Sequence, residues 1–126
     1  MIAQTITITA PDESMASKTY KIDWENNTIE GFIDGVEAIG QSAELALTTE
    51  RFIWHTYSWN YGSEIYTLIG KNDDYVVSEM KRMIEDALST DSRIKSVTGY
   101  NFTKDDNVIH CNFTLKTTAG DINATI

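Results

Sequence analysis

"VIHCNFTLKTTAGDINATI", residues 108–126, decides how the rest of the chain is read. Ile109, Cys111, Phe113 and Leu115 alternate with Val108, His110, Asn112, Thr114 and Lys116. Successive side chains on a strand point to opposite faces, so this is a strand with an apolar face and a mainly polar one. "TAGD" supplies turn residues, and "INATI" is a short last strand. Upstream, "RIKSVTGYNFT" reads as a strand that returns through "KDDN". The C-terminal part of the chain is therefore a three-strand meander.

The period changes further upstream. In "NDDYVVSEMKRMIEDALSTD", Val77, Met80, Ile84, Ala87 and Leu88 form one helical stripe, with Asn72, Asp73 and Asp74 as capping groups. "GSEIYTLIG" predicts a short helix with Ile65, Leu68 and Ile69 on one side, ended by Gly70. Residues 35–47 predict another helix, capped by Asp34, with Val36, Ile39, Ala43, Ala46 and Leu47 inward. Gly40 weakens that helix or lets something pack close to it. "KTYKIDWENNTIEGFIDG" reads as a hairpin turning at Asn26-Asn27. Residues 2–9 alternate Ile2, Gln4, Ile6 and Ile8 with Ala3, Thr5, Thr7 and Thr9, and Pro11 ends that strand. The expected fold is α+β, a small mixed or antiparallel sheet packed against two or three helices. Residues 1–17 are expected to be an N-terminal strand and flexible tether, and residues 18–126 one domain.

Composition narrows the function. With 19 acidic and 10 basic residues the net charge is −9, a field that repels phosphate and anionic lipid and favours a basic protein partner. No apolar run approaches the ~18 residues of a membrane helix, and the first residues carry no basic and apolar signal pattern. One cysteine, Cys111, allows no intrachain disulfide and reads as a small buried hydrophobe.

Chemistry-bearing motifs are missing. There is no phosphate-binding glycine loop, no zinc or calcium motif and no nucleophile elbow. His55 and His110 lack metal-ligand spacing. A carboxylate pair for glycoside hydrolysis carries no weight among so many acids. No catalytic residue, metal, cofactor, nucleic acid, membrane or small-molecule substrate is expected.

The remaining signal is "TTERFIWHTYSWNYG", residues 48–62. Tyr57, Trp59 and Tyr61 alternate with small polar residues as on a strand, which fits either a core face or an interface. Thr49, Glu50 and Arg51 follow a helix end, where an arginine fork can meet a partner. Phe52 and Trp54 are expected to pack beneath that loop and brace it.

Gly31 to Asp34, Thr49-Glu50-Arg51, Trp59-Asn60-Tyr61-Gly62 and Asp91 to Arg93, in this order and spacing, resemble a family of short proteins of contractile phage tails. The family is the PBSX-type branch of the gene-25-like baseplate wedge proteins, and the resemblance covers about residues 18–126. It implies a structural role at the foot of the tail sheath, in a phage or a bacteriocin-like particle. It also implies a fold like the strand-exchanging inner domain of sheath subunits. The implied partners are large baseplate wedge proteins and tail sheath subunits, with tube or hub proteins as further neighbours. Several copies per particle, assembled in the bacterial cytoplasm, are implied too. Thr49, Glu50 and Arg51 match the family's wedge-gripping loop, without its proline. Strand addition is expected at the terminal strands, with Ile6, Ile8, Ile122 and Ile126 as candidates. The competing readings are a small acidic adaptor domain and a muramidase-like hydrolase.

Overall fold

The computed structural model describes residues 18–126. The expected first strand, with Ile6 and Ile8, lies outside the described residues. Five strands, two α-helices and one 3₁₀ turn follow in the order β1 (Thr19–Asp23), β2 (Thr28–Ile33), α1 (Gly35–Thr48), the 3₁₀ turn (Ile65–Leu68), α2 (Asp73–Leu88), β3 (Ile94–Asp105), β4 (Val108–Thr117) and β5 (Gly120–Thr125). β1 and β2 form one antiparallel sheet, and β3-β4-β5 form a second. The fold is α+β, as the periodicities require.

The meander carries the core. Cys111, Phe113 and Leu115 are buried beneath α1 and α2, together with Ala43, Leu47, Met80, Met83, Ile84 and Leu88. Burial raises the Cys111 thiol above its ordinary range, which keeps it protonated and unreactive. β3 carries two irregularities, between Ile94 and Ser96 and between Thr98 and Asn101, and the second brings it into phase with this core. Val97 pairs with Leu115 and Phe102 with Cys111, so two residues five apart must share a face. Strict alternation would put them on opposite faces. A bulge between Thr98 and Asn101 corrects the phase, and Gly99, at φ +68°, supplies the left-handed backbone it uses. Tyr100 thereby also turns inward, its hydroxyl donating to Glu85 and its ring lying 6.3 Å from that of Phe113.

Both helices start as the sequence predicts. The Asp34 carboxylate accepts from the Gly35 amide, and Asn72 accepts from Asp74. On α2 the buried stripe includes Val76 and Met83, whereas Val77 is only half-buried. The short helix is a single 3₁₀ turn. At three residues per turn it eclipses Ile65 and Leu68 but swings Ile69 outward, so Ile69 is exposed rather than grouped with them.

The β1–β2 hairpin turns where expected: Asn27 is left-handed, and Asp23 accepts from the amides of Glu25 and Asn26. Only Ile33 of it is buried. Tyr20 and Phe32 stack at 4.9 Å on an exposed face, and Trp24 and Ile29 are exposed as well. Its attachment to α1 is polar: Gln41 accepts from the Ile22 amide and donates to the Tyr20 carbonyl, as a neighbouring strand would.

Candidate functional site: an open sheet edge and an aromatic loop

β5 is an edge strand: among the described residues nothing pairs beyond it. Ile126 exchanges both backbone hydrogen bonds with Cys111. Alternation along an antiparallel ladder then assigns Ile122 and Ala124 to β4 as well, and turns the N–H and C=O groups of Asp121, Asn123 and Thr125 outward. These are the groups an added strand would engage.

A groove runs beside that edge. It has a volume of about 570 Å³ and lies between α1, through Gly40, Ala43 and Leu47, and β5, through Ile122, Ala124 and Ile126. Ile122 and Ile126, expected as strand-addition residues, line this groove and are half-buried.

The second feature is the loop after α1. Its base is closed by backbone bonds from the Arg51 amide to Ser63 and from the Ser63 amide to Thr49, which form a short parallel bridge between Glu50 and Ser63. Arg51 does not point outward. It is 8% exposed, its guanidinium pairing with Asp86 of α2 and donating to the Gly62 carbonyl at 3.0 Å, while its buried Nε has no partner. The arginine fork expected to face a partner thus fastens both ends of the loop to α2. Sequence reading missed Asp86, because nothing marks a residue 35 positions away as its partner. Glu50 is exposed and Thr49 half-buried.

Between these ends the strand expected at residues 57–61 is absent. The backbone makes successive turns, with bonds from the Tyr57 amide to Trp54 and from the Tyr61 amide to Ser58. Alternation alone does not make a strand when no neighbouring strand satisfies its backbone. Nor do Phe52 and Trp54 pack underneath: both are exposed, as are Ile53, Tyr57 and Trp59, the last at 79%. Phe52 and Trp59 lie 5.6 Å apart, and Tyr57 stacks on Tyr61 at 4.7 Å. Only Tyr61 reaches the core, and burial raises its hydroxyl above the ordinary range. Five large apolar side chains are thus exposed in one loop.

The third sequence landmark is structural. Asp91 accepts from the backbone amide, Nε and Nη2 of Arg93 and from the Ser42 hydroxyl. It ties the turn after α2 to β3 and α1, and Arg93 holds its carboxyl below the usual carboxylate range. Among the described residues no three His, Cys, Asp or Glu side chains converge on a metal position, and no helix is long and apolar enough to cross a membrane.

A small domain with an open strand edge beside an apolar groove, an exposed aromatic loop and no metal cluster among the described residues has the features of a structural part. The model of the contractile injection system sheath initiator family matches residues 14–120, and the chain belongs to that family. It is also similar to the phage-like element PBSX protein XkdS of Bacillus subtilis (strain 168), with 39% identity over 110 residues that cover 84% of this chain and 78% of that protein. The chain is therefore a structural component of a contractile tail, at work where the sheath begins.

Proposed function

We propose that this protein is the gene-25-like component of the baseplate, joining the large wedge proteins to the first sheath ring. The β5 edge accepts a strand from a sheath subunit, and that paired strand starts the sheath lattice. One observation carries this reading: an apolar groove between α1 and β5 lies beside the outward backbone groups of Asp121, Asn123 and Thr125. An exposed edge is ordinarily a liability and is usually blunted. Here the groove is lined for the side chains of one more strand, which supports a docking role.

The wedge contact is assigned to residues 49–61. Glu50, Trp54, Tyr57 and Trp59 present the surface, and Arg51 holds the loop in shape from inside. Tyr61 braces Tyr57. No catalytic step is needed for either contact, and several copies would act in each particle. Deleting the gene should give baseplates with tubes but no extended sheath, seen by electron microscopy. Normal sheaths on particles lacking this chain would refute the proposal.

A further inference from the structure

The three-stranded sheet has a second edge, β3, and the two edges are built differently. The ladder fixes which β3 groups face outward. Ile126 turns the backbone of Cys111 toward β5, so His110 and Asn112 turn toward β3. Their partners Thr103 and Asn101 face β4, which leaves the N–H and C=O groups of Phe102 and Lys104 outward. A strand added there would lie beneath α2, as one added to β5 would lie beside α1.

That place is taken. The Tyr100 hydroxyl donates to Glu85, and Lys104 pairs with Asp73, so side chains link β3 to α2 at two levels. The Lys81 ammonium lies 5.5 Å from the centre of the Tyr100 ring and 5.8 Å from that of Phe102. A cation held over both rings puts charge where an incoming apolar side chain would sit. The recess between α2 and β3 is cut in two. About 350 Å³ lies toward Ile94 and Val97 and about 510 Å³ toward Lys104 and Ile109, while Lys81, Tyr100 and Phe102 line neither. The backbone is irregular as well. Register shifts between Ile94 and Ser96 and between Thr98 and Asn101 break the row of outward groups, whereas β5 pairs from Gly120 to Thr125 without a shift. Bulges and lysines are ordinary means of blunting an edge. β5 has neither, and its groove passes Ile122, Ala124 and Ile126.

We propose that Lys81, Glu85 and Tyr100, with the bulge at Gly99, determine which edge of the sheet accepts a strand: they close β3 and leave β5 as the acceptor. A copy with two open edges could pair with neighbours on both sides and grow into a ribbon. A copy with one takes up a single strand and stops. That suits a part that starts a lattice once and in one direction. This rests on the reading of β5 as a strand-accepting edge.

The test compares the full wild-type chain with an opened variant, in which Gly99 is deleted and Lys81→Ala and Glu85→Ala remove the charged rim. The deletion leaves Val97, Tyr100 and Phe102 in strict alternation with Thr98 and Asn101, so the core pattern is kept. Lys81→Ala/Glu85→Ala with Gly99 in place carries the test if the deletion does not fold; protected Phe113 and Leu115 amides report a folded sheet. The probe is a synthetic peptide of residues 121–126, DINATI, in large excess, and amide hydrogen exchange by NMR reads both edges. In the wild type the peptide should slow exchange of the Asp121, Asn123 and Thr125 amides at least ~10-fold and leave Phe102 and Lys104 unchanged. In either folded variant it should slow Phe102 and Lys104 as well. Wild-type Phe102 and Lys104 protected as strongly as β5 would overturn the proposal, and so would folded variants whose β3 amides the peptide does not protect. Protection of β3 in a variant with none of β5 in any protein would overturn the reading of β5 and keep the closing of β3. Protection at neither edge in any protein would overturn both.

Discussion

Substituting Gly62 by Ala probes the base of the aromatic loop. Gly62 has φ +96°, and a Cβ there would stand 2.7 Å from the Thr49 carbonyl oxygen, 3.1 Å from the Arg51 nitrogen and 3.2 Å from its Cα. All three are backbone atoms, so no side chain can swing aside. The Thr49 oxygen and the Arg51 nitrogen also belong to the pair of bonds with Ser63 that closes the loop. The left-handed backbone costs an L-residue ~1–2 kcal/mol, and overpacking adds ~1–3 kcal/mol. Together that is ~2–5 kcal/mol, or a fall of about 6–20 °C in Tm for a domain of this size. Gly70→Ala supplies the comparison, because Gly70 has φ +80° with nothing within 4 Å of its Cβ position. It should lose only the backbone part, ~1–2 kcal/mol. Urea denaturation followed by circular dichroism measures both variants. If Gly62→Ala costs no more than Gly70→Ala, the close-packed loop base is wrong.

Arg51→Ala should destabilise the fold by ~1–3 kcal/mol, chiefly because it leaves the buried Gly62 carbonyl without its donor, Asp86 itself being half-exposed. A double-mutant cycle with Asp86→Ala should show a coupling of at least ~1 kcal/mol, and additive effects would deny the internal role. Trp59→Ala should change stability by less than ~0.5 kcal/mol yet weaken wedge binding at least tenfold in a titration; unchanged affinity would remove Trp59 from the contact. Gly40→Ala should stabilise by ~0.5–1 kcal/mol in thermal melts, since the new methyl would meet Ile122 at an ordinary 3.7 Å, and a loss would mean the helix needs that gap. Because Arg93 depresses the folded-state pKa of Asp91, its contribution is complete above the unfolded value and vanishes as pH falls through the folded one. Asp91→Asn should therefore be less stable than wild type at neutral pH, with the gap closing below pH ~4; a gap independent of pH would exclude the ion pair as its source.

The sheet and helices could be read because each has a period that the core enforces. Cys111, Phe113 and Leu115 alternate because the helices cover one face of β4. Asp34 and Asn72 cap helices through local geometry alone. Where the outcome depended on distant partners, sequence was silent. The alternation of Tyr57, Trp59 and Tyr61 looks like a strand, but no neighbouring backbone satisfies it. Arg51 looks like a presented cation until Asp86 is brought to it by the packing of α2. The bulge at Gly99 shows in sequence only as one glycine, yet it sets which β3 residues face the core. The groove joins residues of α1 to residues of β5 about 80 positions on, a property of the assembled layers rather than of any motif.

The claim that β5 starts the sheath by strand addition is tested most directly by Asn123→Pro. The Asn123 amide points away from β4, so proline removes an outward donor and leaves the β4–β5 ladder intact, as edge strands tolerate. Asn123→Ala controls for the lost side-chain bond from Thr114. Both proteins should fold, with Tm within a few degrees of each other. Particles carrying Asn123→Ala should assemble sheaths normally in electron micrographs, and those carrying Asn123→Pro should show bare tubes on complete baseplates. Normal sheaths on Asn123→Pro particles would contradict the account.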